Sequence, residues 1–252
     1  MRRKLVAVAL GFFSFAGTLI LTPTVQTHGS GTNRAAMAGT SLEAAERIMG
    51  SGHFFSAERV MTALEPFARK ASISMPRLPE SHVVPYSEST LRAHADGNWL
   101  LLWDSGFSLS ELFQMFGSDA KSQPCFYYNV WWQIYGRSVG ELRTEPSYVL
   151  VRVKGMFETL SWSEQEVALS SLGRRYYRTP TSTIASAAFV TYLLNGGERS
   201  LDVTYHWGPE AVGNNAHVGT GDFVSTGLGV YVWPDSTRTV RLAVSVARAP
   251  DF

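Results

Sequence analysis

"RTPTSTIASAAFVTYLLNGGERS", residues 178–200, is the stretch on which the reading of the fold turns. Pro180 sets an extended entry, and Thr181 or Ser182 stands where an N-cap is expected. Residues 183–194 are apolar nearly all round, so the helix they form must be covered on most sides. Asn195, Gly196 and Gly197 then supply left-handed residues to end it. Downstream, "LDVTYHWG", "GLGVYVWPD" and "TRTVRLAVSVAR" are short strand-like segments. In the last, Val240, Leu242, Val244 and Val246 alternate with Arg241, Ala243, Ser245 and Ala247, the period-two pattern of a strand with one buried face. One buried helix followed by turn-separated strands implies an α+β fold with an antiparallel sheet.

Upstream, four segments carry helix-start signals. Thr40 and Glu43 have capping-box spacing before "SLEAAERIM", which Gly50 and Gly52 stop. Ser56 is placed to cap a second helix with Val60, Leu64 and Phe67 on one face, and Pro66 predicts its end or a kink. Ser108 with Glu111, and Ser161 with Glu164, have the same box spacing. This gives Glu164 and Glu166 a solvated role at a helix start, favoured by the helix dipole. "NWLLLWDSG" reads as a buried strand and "PSYVLVRVKG" as a second. The aromatic run "CFYYNVWWQIYG", residues 125–136, reads as core-closing in preference to a sugar-stacking platform, because no polar group repeats usefully beside it.

The chain has 252 residues, 45% of them hydrophobic and 17% charged, and a net charge of +1, so a polyanion such as nucleic acid is not an expected partner. Arg2, Arg3 and Lys4 precede an uncharged apolar run at residues 5–21 and a small polar stretch after it. Basic, apolar and polar regions in that order predict export, through a cleaved signal or through membrane anchoring by residues 5–21. Cys125 is the only cysteine, which excludes an intramolecular disulfide and a cysteine zinc site, and it reads as a small buried residue. The expected organisation is a signal or anchor at 1–27, a linker at 28–39, a helical segment with one or two strands at 40–118, and a second region at 119–252.

That second region resembles a known scaffold. Arg178-Thr179-Pro180-Thr181, a helix, Gly196-Gly197, then Tyr205-His206-Trp207-Gly208 and a strand ending Val246-Ala247-Arg248 are similar to the later part of the formylglycine-generating-enzyme and C-type-lectin-like families. The resemblance implies a C-type-lectin-like C-terminal domain preceded by a small helical segment. It does not imply the enzymes' chemistry. The family's copper-binding cysteine pair is absent, and no His-x-x-x-His spacing occurs among His28, His53, His82, His94, His206 and His217.

The expected function is a secreted or anchored binding module for an extracellular protein or glycan, with no catalytic residue, metal or cofactor. Its candidate ligand contacts are Trp207, Asn214, Asn215, His217 and Asp222, in the glycine-rich stretch 206–223 read as a loop. The alternatives are a structural or assembly protein, and an extracytoplasmic enzyme. The enzyme would use carboxylates such as Asp104, Glu210 and Asp222, or a metal on His206, His217 and Asp222. No phosphate-binding loop, dinucleotide fingerprint, nucleophile elbow or His-Glu-x-x-His helix is present.

Overall fold

A computed structural model describes residues 39–127, 137–201, 204–239 and 242–251. The expected signal or anchor at 1–27, the linker up to residue 38 and most of the aromatic run at 125–136 lie outside the described residues. So do Val240 and Arg241 of the predicted last strand.

β1 (Thr40–Ser41) leads into α1 (Leu42–Met49). Ser41, not Thr40, caps this helix, accepting from the Ala44 amide at 3.2 Å. Thr40 is committed to β1, where its hydroxyl donates to the Tyr86 carbonyl at 2.6 Å. Gly50, at φ 84°, ends α1. β2 (Phe54–Phe55) and α2 (Ala57–Lys70) follow, with Ser56 as cap. α2 continues past Pro66 to Lys70, so the expected stop does not occur there. Both Pro66 and Thr62, whose carbonyl loses its helical partner, lie on the exposed side, where a lost helical bond costs least. Val60, Leu64 and Ala68 are buried, and half-buried Phe67 packs 4.7 Å from Phe116.

Next come β3 (Val83–Val84), α3 (Glu88–Ala93) and the wholly buried β4 (Trp99–Asp104). α4 (Leu109–Phe116), α5 (Arg137–Gly140), β5 (Ser147–Arg152) and α6 (Trp162–Ser170) follow. The boxes at Ser108 and Ser161 form as their spacing predicts. β6 (Tyr176–Arg178) enters α7 (Thr181–Leu194), and β7 (Tyr205–Ala211), β8 (Ala216–Val224), β9 (Gly227–Pro234), β10 (Leu242–Val244) and β11 (Val246–Arg248) complete the order.

The class is α+β, but the sheets are mixed where an antiparallel one was expected. A five-stranded sheet runs β2-β4-β5-β11-β6 and a four-stranded sheet β10-β7-β8-β9, with β1 and β3 paired apart. β2 lies parallel to β4, and β10 parallel to β7. β10 pairs on the far side of β7, at the opposite edge of the sheet from β9. Residues on both sides of position 118 build the five-stranded sheet, and one apolar core takes in Leu64, Leu101, Phe116, Phe189 and Val246.

The alternating segment after residue 239 also differs from its reading. It divides at Ser245, sending β10 to one sheet and β11 to the other, and Leu242 through Arg248 are all buried. Its alternation marks large and small residues between two covered faces, with none left for solvent. Ser245 holds the crossing: its carbonyl accepts from the Thr179 amide at 3.0 Å and its hydroxyl donates to the Arg152 carbonyl at 2.9 Å.

α7 packs on β4 of one sheet and on β7 and β8 of the other, and residues 181–191 are buried throughout, as its apolar surface requires. Neither Thr181 nor Ser182 caps it. The N-cap position is Pro180, and carboxylates from distant strands supply the acceptors. Glu210 accepts from the Thr181 amide at 3.0 Å and from the Thr181 hydroxyl, while Asp104 accepts from the Thr183 hydroxyl. Negative charge at a helix N-terminus is favoured by the aligned peptide dipoles. Glu210→Gln keeps the size but loses the charge and one acceptor, so a drop of about 1–2 kcal/mol in unfolding free energy is expected from the urea midpoint. At the other end Gly196 and Gly197 have φ of 65° and 93°, whereas Asn195, at −111°, does not take the left-handed form. Its side chain instead donates to the Gly52 carbonyl at 3.0 Å.

Candidate binding face

The four-stranded sheet has two chemically different faces. Directly paired residues share a face, and the register joins Tyr205 to Gly221 and Gly229, Trp207 to Gly219 and Tyr231, and His217 to Trp233. Those residues form the outer face. The inner face carries His206, Val218, Thr220, Val230 and Val232, on the side of α7.

Glycines in mid-strand cost conformational entropy and leave nothing to pack, so their presence asks for a reason. Here they seat aromatic rings. A Cβ on Gly219 would stand 3.0 Å from Trp233, and one on Gly229 would stand 2.7 Å from the Tyr205 hydroxyl and 2.9 Å from the Tyr231 ring. The Tyr205 and Tyr231 rings meet edge to face with centroids 5.3 Å apart, and Trp233 lies 5.6 Å from Tyr205. These spacings are those of favourable aromatic contact.

Beside the rings β8 bulges between Gly221 and Val224, and Asp222 takes φ 51°, a left-handed value that is unusual outside glycine. Bulges re-aim side chains, and this one brings the Asp222 carboxylate to the Tyr205 hydroxyl, which donates to it at 3.2 Å. Burial first, and the Asp222 charge second, push the Tyr205 phenol well above its ordinary range. Tyr205, Asp222, Tyr231, Trp233, Thr237 and Thr239 line a cleft of about 320 Å³. A second hollow of about 250 Å³ continues past Tyr205 and Asp222 to Tyr127 and Thr226.

The five contacts named from sequence do not meet. Residues 206–223 are not a loop but most of the β7–β8 hairpin, because Gly219 and Gly221 serve the sheet face and Gly213, at φ 66°, serves the turn. Trp207 is fully buried with Tyr205 and Leu242, so it offers no ring to a ligand. Asn214 and Asn215 are exposed at the hairpin turn, the Asn215 carbonyl accepting from the Asp235 amide at 2.9 Å. His217 stacks on Trp162 at 4.0 Å with the rings 10° apart, and its Nδ1 lies 2.7 Å from Asp235. Asp222 is five residues further along β8, on the order of 16 Å of strand, and belongs to the aromatic cleft.

Tyr205, Tyr231 and Trp233 were the residues sequence reasoning passed over. In "GLGVYVWP" Gly227, Gly229, Tyr231 and Trp233 alternate with Leu228, Val230 and Val232, a period-two split between a glycine-aromatic face and an aliphatic one. That split is the signal that marks the outer face.

The residues considered for catalysis are employed elsewhere. Asp104 is buried, and it accepts from the Gly106 amide at 3.1 Å and from the Thr144 and Thr183 hydroxyls. Burial pushes the carboxyls of Asp104 and Glu210 upward, against these donors. His206 and His217 are on opposite faces, and among the described residues no three His, Cys, Asp or Glu side chains are grouped to hold a metal. Glu166, its side chain partly exposed to solvent as expected, also pairs at 2.7 Å with buried Arg178, whose guanidinium lies 4.7 Å over the Trp162 ring. Cys125 is buried, and burial raises its thiol.

Comparison with protein-family models, curated proteins and solved structures finds no match to this chain.

Proposed function

We propose that this chain is a non-catalytic binding module whose ligand is a glycan, received on the outer face of the four-stranded sheet. The observation that carries the reading is the cleft in which the half-buried rings of Tyr231 and Trp233 stand over glycines, backed by buried Tyr205 and the Asp222 carboxylate. A pyranose ring has apolar C–H faces and a rim of hydroxyls. Aromatic rings accept the first by stacking, and a carboxylate with nearby threonine hydroxyls accepts and donates to the second. The ring centroids are 5.3 to 6.4 Å apart, which places the rings in contact with one another, so they offer a platform and not a cage around a cation.

The basic-then-apolar start of the chain supports an extracytoplasmic location for such a module, secreted or anchored. The order of helix, hairpin and a last segment that pairs into both sheets is what supports a C-type-lectin-like scaffold, one that also takes in β2 and β4 from before residue 119. The site differs from the one expected from the sequence: Asp222 is kept, and Tyr205, Tyr231 and Trp233 replace Trp207, Asn214, Asn215 and His217.

The test is a glycan array followed by titration of the best glycan with intrinsic tryptophan fluorescence. Trp233→Ala should weaken binding roughly 10- to 100-fold, the equivalent of about 1.4–2.8 kcal/mol, while leaving the urea midpoint nearly unchanged. Full binding by Trp233→Ala and Asp222→Asn together would remove this face from consideration. A protein ligand with no glycan affinity would replace the glycan reading.

A further inference from the structure

A second cavity lies apart from the aromatic cleft. It has a volume of about 440 Å³ and is lined on one side by Lys154 and Gly155, just past β5. Thr191 near the end of α7, Arg199, Ser200 and His206 complete its polar wall. His206 and Thr191 are each 1% exposed. Among the described residues the Nδ1 of His206, the Oγ1 of Thr191, the Oγ of Ser200 and the Nε of Arg199 are buried without a hydrogen-bond partner.

Nearly all buried polar groups in folded proteins are partnered, so four such atoms lining one hollow point to something that partners them there. Their chemistry says what kind. A guanidinium donates only, two hydroxyls donate freely, and an imidazole donates from one ring nitrogen. The Arg199 guanidinium is held against the Tyr192 and Phe223 rings at 5.0 and 5.4 Å. Lys154 brings a second cation to the lining. The acids of the lining, Glu158 and Glu198, are exposed, and Glu198 already accepts from Asn195 at 3.1 Å. The donors of Arg199, Ser200, Thr191 and His206 thus gather inside, while Lys154 and both carboxylates stay at the exposed rim.

We propose that this cavity binds a small ligand through an oxyanion group, carboxylate or phosphate, received by Arg199, Ser200, Thr191 and His206. The site is independent of the glycan face, which lies on the opposite side of the sheet.

The full chain is titrated by calorimetry and by thermal unfolding with sodium phosphate, and separately with sodium acetate, each against sodium chloride at equal ionic strength. A saturable rise in melting temperature with either oxyanion over chloride is expected, and the one that gives it names the group. Thr191→Val removes an unpartnered hydroxyl without changing its shape. It should fold at least as stably as the parent and lose binding about tenfold or more, and Arg199→Gln should lose it altogether. Trp233→Ala should keep the response, which separates the two sites. Equal curves in phosphate, acetate and chloride would overturn the proposal, as would undiminished binding in Thr191→Val, which decides the matter even where Arg199→Gln does not fold.

Discussion

Phe189→Ala should lower the unfolding free energy by about 4 kcal/mol, the upper range for truncating a buried aromatic ring. Phe189 sits in the middle of α7 with no solvent exposure. Its ring meets Phe116 of α4 at 4.5 Å, Phe126 at 4.8 Å and Phe223 of β8 at 5.7 Å. Truncation removes the ring's burial and leaves a hole whose walls come from different layers, a helix and a sheet, which cannot easily collapse together. For a chain of this size the melting temperature should fall by roughly 10 °C. The urea midpoint should drop with the slope of the transition unchanged. Phe189→Leu, which keeps most of the volume, should cost much less. A loss below about 1 kcal/mol in Phe189→Ala would show that α7 is not the element joining the two sheets.

The second large effect is a dependence of stability on pH that runs through His206. The imidazole is buried and burial alone lowers its ionisation from 6.5 to about 4. Above pH 6.5 the ring is neutral in both folded and unfolded chains, and it contributes its full share of stability. As pH falls from 6.5 to 4 the unfolded chain takes up the proton and the folded one does not, so that share is lost, up to about 3 kcal/mol. Below about 4 both forms are protonated and the loss stops. His53, Lys154, Glu158, Glu198 and Arg199 line the same cavity. Asp104 and Glu210, whose carboxyls are raised by burial, act with the opposite sign over the acid range. Comparing the chain with His206→Gln at each pH cancels those contributions. The difference should shrink by about 3 kcal/mol between pH 7 and pH 4, and a constant difference would mean that His206 is not held neutral.

Much of the local structure was legible. Ser56, Ser108 and Ser161 cap their helices because capping depends on residues three apart, a relation written within one turn. The all-round apolar surface of α7 demanded burial, and the helix is buried. Where competition from afar entered, local reading failed. Thr40 was drawn into β1 by the Tyr86 carbonyl, 46 residues away, and the cap passed to Ser41. Pro66 did not stop α2, because whether a lost helical bond matters depends on which side of the helix meets water.

The candidate site was legible in its ingredients and not in its assembly. Asp222 was singled out, but its partners Tyr205, Tyr231 and Trp233 reach it through strand register across β7, β8 and β9. By itself the sequence determined the helix starts at Ser56, Ser108 and Ser161, the buried character of residues 183–194 and the two-faced alternation of the late strands, since each follows from relations local to the chain. Only the tertiary structure decided that Trp207 is covered on the outer face, that Glu210 caps a helix from 29 residues away while Asp104 accepts from Thr183 79 residues away, and that β10 and β11 part company at Ser245. Alternation tells that two faces differ. What covers each face, and which donors surround a carboxylate, is set by segments that periodicity does not connect.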